Sequence, residues 1–352
     1  MHHHCIHIDA SYGEGGGQIL RTSLSLAAIT GNPISIYNIR ARREKPGLAA
    51  QHLTAVRAAA AICHAQVQGD ALGSMTLEFI PSDAAKAGNY TFDVGEAREG
   101  GSAGAISLVL QTILLPLALA TGNSQVILRG GTHVPFSPPM TYIEQVYLPI
   151  LRRMGIQVQV ELGAWGWYPR GGGIAKLMVS GGRKPSGIKL VQRGAWHQVS
   201  GLAVVTELPS HIPQRMAIRA ENILQEAGLK ATVQPLRYKG IAPGAGLFLT
   251  AEYENTLAGF SALGRVGLPA EKVAQIACNE LLKFHQTGAA VDEHLADQLL
   301  LPAALATEES KYQVAKVSMH LITNAWVIEK FGLARVIVDE VEKMVTVQPL
   351  YD

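Results

Sequence analysis

The sequence predicts an α+β protein: three βαβαββ-type repeats form a large domain, and a small α+β domain is inserted before the third repeat. Three internal matches predict this. LSLAAITGN (24–32) resembles LPLALATGN (115–123) at an offset of 91 residues. In both, an apolar helical run stops at glycine and a β-type run follows, PISIYNI in one and SQVILRG in the other. AVRAAAAICHAQVQ (55–68) and YLPILRRMGIQVQV (147–160) repeat the helix-then-strand pattern at an offset of 92. A third copy, LLPAALAT (300–307), lies 186 residues after LLPLALAT (114–121). That spacing leaves 95 residues beyond one repeat length, enough for a small domain.

The insert is bounded by the Gly/Lys/Pro-rich stretch SGGRKPSG (180–187) and the Thr287-Gly288 turn. The large domain is then 1–183 with 289–352, and the insert is 184–288. Within the insert, KLVQRG, GLAVVTEL, ATVQPLRY, GLFLTAEYE and LAGFSALG read as strands, with helices near 212–227 and 270–285. NAWVIEKFGLARVIV (324–338) supplies the last helix and strand of the third repeat.

Composition excludes several classes. Of 352 residues, 48% are hydrophobic and 16% charged, so the chain buries a large core and is not disordered. Thirty Lys and Arg against 28 Asp and Glu leave +2, too little for a global basic field, so any nucleic-acid role rests on a local site. Cys5, Cys63 and Cys278 are an odd, scattered set, which suits a reducing compartment. No secretory signal is visible, and His2, His3 and His4 read as a tag remnant or frayed end. A cytoplasmic protein is expected. Gly100 to Leu128 carries no charge and is long enough to span a bilayer. Its Ser107, Gln111, Thr112 and Pro116, and its place in the repeat, make it a buried helix over 105–121 instead.

Six segments carry candidate chemistry. Tyr12-Gly-Glu14-Gly-Gly-Gly-Gln18-Ile-Leu-Arg21 follows a strand (CIHIDA) and opens a helix, where backbone amides can approach an anion. It is neither a Walker A loop nor a dinucleotide fingerprint, and it also reads as a tight turn. Glu14 beside such amides favours phosphate only with a bridging Mg²⁺-type ion. Arg40, Arg42, Arg43 and Lys45 form a basic loop before a helix that carries Gln51 and His52; it reads as a phosphate grip or a solvated loop. Gly100–Gly104 is a second Gly/Ser helix start, the repeat equivalent of the first. The 131–142 loop, GTHVPFSPPMTY, can line a flat ring. Near the C-terminus, His294, Asp297 and Gln298 share one helix face at i, i+3, i+4. His320 stands at a strand-to-helix junction, taken as equivalent to the Gly-rich loops, where it can act as nucleophile, acid/base, ligand or cap.

Together these segments resemble the RNA 3′-terminal phosphate cyclase family. The resembling residues are GEGGGQILR (13–21), RARREKPGLAAQHLTA (40–55), GSAG with LVLQT (101–112), GGTHVPFSPP (130–139), YPRGGG (168–173), HLADQLLLP (294–302) and HLITN (320–324). They run in family order over almost the whole chain. The resemblance implies an enolpyruvyl-transferase-like fold and an ATP-dependent conversion of an RNA 3′-phosphate to a 2′,3′-cyclic phosphate through a covalent histidine–AMP. It implies His320 as nucleophile and Glu14 as contact of a divalent metal, Mg²⁺ or Mn²⁺. Arg21, Arg40, Arg43, Gln51 and His52 match phosphate and RNA-end residues. Gln111, Pro138, Tyr142, His294, Asp297 and Gln298 match the ATP surroundings. Two positions depart: His294 stands where many relatives carry Tyr, and Ala105 stands where a small polar residue is commoner.

The implied partner is RNA with a 3′-phosphate end, with no membrane; the protein is a monomer or homodimer. Two other classes compete. A cyclase-like ribosome-assembly factor would lack the nucleophile, whereas His320 is present. An enolpyruvyl-transferase-like enzyme would leave HLADQ and HLITN unexplained.

Overall fold

A computed structural model describes residues 4–350, so His2 and His3 lie outside the described residues. One topology recurs in three four-stranded sheets. The first repeat runs β1 (Ile6–Asp9), α1 (Gly17–Thr30), β2 (Ile34–Tyr37), α2 (Ala50–Cys63), β3 (Gln66–Gln68) and β4 (Leu77–Ile80), in sheet order β1-β2-β4-β3. The second runs β5 (Asn89–Asp93), α3 (Ile106–Leu119), β6 (Asn123–Gly130), α4 (Met140–Tyr142), α5 (Leu148–Arg153), β7 (Gln157–Ala164) and β8 (Gly173–Ser180). A π-helical turn joins α4 to α5, and the sheet order β5-β6-β8-β7 repeats the first. In each, the first two strands are parallel and the remaining pairs antiparallel.

The third repeat opens with the short strand β9 (Lys189–Leu190). The inserted domain follows: β10 (Trp196–Thr206), α6 (His211–Glu226), β11 (Ala231–Tyr238), β12 (Gly244–Tyr253), β13 (Leu257–Leu263) and α7 (Ala270–Thr287). Its sheet order is β11-β10-β12-β13, and α6 and α7 pack together on it around a separate core. The chain then resumes with α8 (Glu293–Gln298), α9 (Leu300–Ala304), β14 (Ser310–Gln313), α10 (Met319–Lys330), β15 (Ala334–Asp339) and β16 (Met344–Pro349).

Two expectations are corrected here. The segment KLVQRG is not a strand of the insert. Its Lys189 and Leu190 pair in parallel with Lys311 and Tyr312 of β14. Leu190 is buried in the large core, whereas the insert's core begins at Val199. Parallel strands need a long crossover, and here the insert lies inside that crossover. It therefore enters after the first strand of the third repeat, not before the repeat, and residues near 184–190 go with the large domain. The second correction concerns His320. Helix α10 follows the second strand of its repeat, so it corresponds to α2 and α4, not to α1. The residues that stand where the Gly-rich loops stand are those leading into α8.

Helix α3 is apolar on nearly all sides because it packs against both α1 and α2. No helix among the described residues is long and apolar enough to cross a membrane.

Insert and large domain are pinned at Asp292, which is buried. Its carboxylate accepts the Tyr142 hydroxyl at 3.0 Å, the amides of His294 and Leu295 at 2.9 Å, and the amide of Gly259 on β13 at 3.2 Å. Three elements thus depend on one side chain. Asp292→Ala leaves a buried hydroxyl and buried amides without acceptors, and should cost about 3 kcal/mol in urea unfolding.

Candidate active site

Asp9 shapes the first strand-to-helix turn by accepting from the amide and hydroxyl of Ser11 and from Asn38. The turn continues through Gly13 at φ +58°, where a Cβ would lie 2.2 Å from the Thr323 hydroxyl. Only glycine lets this loop close onto α10. That contact brings Glu14, from the first repeat, to the N-terminus of α10, from the third.

There Glu14 Oε2 lies 2.8 Å from His320 Nε2, and its Oε1 accepts from Arg43 Nη2 at 2.5 Å. His320 Nδ1 meets Gln18 Oε1 in a short hydrogen bond. The amide group of Gln18 donates to Asp297 Oδ2 at 2.5 Å. One turn along both helices, Thr22 donates to Asn324 at 2.6 Å, and Asn324 donates to the Asp297 carbonyl at 3.1 Å. The imidazole is thus held between two acceptors while 47% of its side chain stays exposed. Burial of the rest of the ring lowers its pKa against the pull of Glu14. The same ring, aimed and open at a helix N-terminus, can serve as a nitrogen nucleophile.

Beside it is a small cavity lined by Gln18, Arg21, Gln111, Asp297, Gln298 and Asn324, among others. Arg21 forms no salt bridge among the described residues. Burial pushes its pKa down to about 10, opposed by Asp297 and Glu14, so it remains a cation at neutral pH. A half-buried cation with no salt bridge among the described residues, beside an open cavity, can receive an anion. Asp297 is desolvated, which raises its pKa to about 7 despite His294, Arg21 and Gln18.

The basic loop serves partly to hold itself. Arg40, at φ +53°, donates to the Gly47 carbonyl at 2.7 Å, whereas Arg43 is exposed and reaches Glu14. His52 is buried, and its Nδ1 accepts the Ala49 amide at 3.2 Å. Burial, with Arg21 and Arg40 nearby, pushes its pKa down to about 3, so it stays neutral. Its Nε2 sits against Gly17, where a Cβ would lie 2.1 Å away. Gln51 accepts the Ala105 amide at 3.2 Å, which ties α2 to the second Gly-rich loop. The backbone at position 105 makes that bond whatever its side chain.

On the opposite side, His294 is exposed and Tyr142 is buried, with ring centroids 6.5 Å apart at 88°. The Tyr142 hydroxyl is committed to Asp292, and the residue lines a second cavity against Phe248 and Gly259 of the insert instead of the one beside His320. Pro138 is half-buried just before α4. Gln298 donates to the His294 carbonyl. Sequence reasoning missed Gln18, Asn324 and Asp292 as site residues. A usable signal existed: Gln18/Thr22 and His320/Asn324 are polar i, i+4 pairs near the starts of two helices.

The arrangement sets an imidazole beside a cavity that carries a cation, on a fold of three α+β repeats: such a site suits chemistry on phosphate groups. The family model of RNA 3′-terminal phosphate cyclase matches residues 12–338. The RNA 3′-terminal phosphate cyclase of Nostoc punctiforme is 72% identical over 345 residues, covering 98% of this chain and 99% of its own. That of Trichormus variabilis is 69% identical over 97% of this chain and 98% of its own. That of Archaeoglobus fulgidus is 40% identical over 97% and 99%. This chain belongs to the RNA 3′-terminal phosphate cyclase family. Among solved structures, the enolpyruvyl transferase NikO from Streptomyces tendae overlaps 95% of this chain and 80% of its own, at 11% identity and a TM-score of 0.25.

The raised pKa of Asp297 has a measurable consequence. The folded protein holds that proton up to about pH 7, while the unfolded chain releases it near the ordinary carboxylate value. Folding therefore loses stability as pH rises between the two. Asp297→Asn should be more stable than the parent by on the order of 1–2 kcal/mol at pH 8, allowing for partial solvent screening, and equal to it near pH 4. Urea unfolding at the two pH values checks this.

Proposed function

We propose that this chain uses ATP to convert an RNA 3′-terminal phosphate into a 2′,3′-cyclic phosphodiester, with His320 as nucleophile. The observation that carries the reading is the position of His320, open on one side, gripped by Gln18 and Glu14, and next to Arg21, which forms no salt bridge among the described residues. Family membership names the class of substrate.

Both contacts of the resting ring are to acceptors, so a proton on each nitrogen satisfies them. The Nε2 proton passes to solvent on the exposed side of the ring, which leaves Nδ1–H on Gln18 and a lone pair on Nε2. Nε2 attacks the α-phosphorus of ATP; a P–N bond forms, the bond to pyrophosphate breaks, and pyrophosphate leaves. An oxygen of the RNA 3′-phosphate then attacks that phosphorus, displaces His320 and carries off AMP in a diphosphate linkage. Finally the vicinal 2′-OH attacks the RNA phosphorus, its proton goes to solvent, and AMP departs. The last step needs orientation above all, which is worth up to ~7–11 kcal/mol in well-placed intramolecular cases. It needs ribose, since DNA lacks the hydroxyl.

Arg21 faces the α-phosphate, while Arg43, Arg40, Gln51 and His52 attend the leaving pyrophosphate or the incoming RNA phosphate. His294, backed by Tyr142, and Pro138 accept the adenine, and Gln111, Asp297 and Gln298 line the nucleoside side. Among the described residues no three His, Cys, Asp or Glu side chains cluster as a metal cage. Glu14 alone fits a Mg²⁺ or Mn²⁺ ion carried mainly by ATP phosphates, where the ion would neutralise phosphate charge. A cytoplasmic setting fits this chemistry. A non-catalytic assembly factor is the second reading, and it has no use for a set and exposed His320.

His320→Asn should abolish the covalent AMP adduct and all cyclisation while melting near the parental temperature; labelled ATP and denaturing electrophoresis read the adduct. Retained adduct would move the nucleophile elsewhere. Arg43→Ala should slow cyclisation by about 10- to 100-fold, the loss expected of one charge-assisted phosphate contact. It should slow adduct formation without RNA by less. Equal losses in the two assays would assign Arg43 to the ATP phosphates.

A further inference from the structure

Beyond the phosphate site, the molecule presents aromatic rings to solvent along one rim. The turn 134–137, closed by Ser137 Oγ donating to the Val134 carbonyl, carries Phe136 fully exposed at φ +62°. A bulky residue in the left-handed region is a rare and strained choice, and here the ring gains no packing in return. Tyr168 is 70% exposed and is followed by the exposed Arg170. Neither Arg170 nor the exposed Lys239 of the insert forms a salt bridge among the described residues.

These loops share a packed base and are contiguous with the site. Beneath them His133, Trp165, Trp167 and Phe248 of β12 stack as a buried group that clamps the large domain to the insert. Residues 133 and 167 are bridge partners, so the Phe136 turn and the Tyr168 loop leave the core side by side. Val134 packs on Ala103 and Ala105, and Gly171 lies against Ser102 and Ala103. Ile241 of the insert, 65% exposed, abuts Gly172. From Ala105 the hydrogen bond to Gln51 leads back to His52, Gly17 and Arg21.

We propose that this rim is the track for single-stranded RNA leading to its 3′-phosphate, with Phe136 and Tyr168 as stacking platforms for bases and Arg170 for the backbone. It rests on the cyclase reading. In-line displacement at the α-phosphorus puts the leaving pyrophosphate, and then the incoming RNA phosphate, on the far side from His320. Gln51 and the second Gly-rich loop form a continuous surface from that phosphate site to the rim. Exposed rings interleaved with unpaired cations suit a single strand, whose bases stack without sequence preference. The insert then has a role: Ile241 and Lys239 complete the outer edge of the track.

The test is fluorescence anisotropy with a labelled RNA of about ten nucleotides ending in a 3′-phosphate, matched to the usual span of such sites. Phe136→Gly and Tyr168→Ala should each weaken RNA binding about 5- to 100-fold, the range for losing one stacked base. Tyr168→Phe should restore it. Competition by a nucleoside 3′-monophosphate should be unaltered, because it reaches only the phosphate site. Phe136→Gly relieves the strained backbone and should melt no lower than the parent, so weaker RNA binding in that variant cannot come from unfolding. Unchanged RNA affinity in both variants overturns the track, as does equal affinity for a blunt duplex end. AMP adduct formation without RNA is measured on the same parent protein. Its failure there would count against the cyclase reading while leaving a Tyr168-dependent RNA affinity to stand on its own.

Discussion

The side-chain amide of Gln18 spans two parts of the chain that the sequence separates by about 280 residues, donating to Asp297 and accepting at His320. An amide has one end of each kind, so its orientation is set once Asp297 takes the NH₂ group. The oxygen must then face His320, which places a proton on Nδ1 and leaves Nε2 for chemistry. Aspartate at 297 and glutamine at 18 therefore act as a pair, and the thirds of the fold that carry them must pack in one register. The Thr22–Asn324 bond one turn further on holds that register, and the tight Gly13–Thr323 contact adds a steric stop.

Electrostatics follows from the same enclosure. Burial leaves Asp297 easier to protonate, His52 harder to protonate and Arg21 with a lowered pKa that Asp297 and Glu14 partly restore. Each of these groups carries a desolvation cost. The fold supports that cost elsewhere, through two large apolar cores and the buried Asp292 junction. Stability is thus spread over the repeats, while Arg21, His52 and Asp297 gather where the first and third repeats meet.

Much of this was legible in the sequence. Apolar runs that stop at glycine at constant offsets reveal repeats because each repeat buries the same helix face against the same kind of sheet. The boundary of the insert was not legible, because β9 is two residues long and its partner β14 lies beyond the whole inserted domain. The place of His320 in its repeat was misread for the same reason: helix order within the third repeat depends on where the insert enters. Among site residues, charged and glycine-rich motifs stand out in a sequence. Gln18, Asn324 and Asp292 do not, since their meaning lies in partners such as Tyr142, 150 residues away.

The claim that the Gln18 amide sets His320 for attack is tested most directly by peptide mass mapping after incubation with ATP and Mg²⁺, time-resolved for the parent and for Gln18→Leu. The account predicts AMP on the peptide that carries His320, none on those carrying His52 or His294, and adduct formation slowed at least about 10-fold in Gln18→Leu, on the scale of one lost orienting hydrogen bond. Adduct on another histidine, or an unchanged rate in Gln18→Leu, would contradict it.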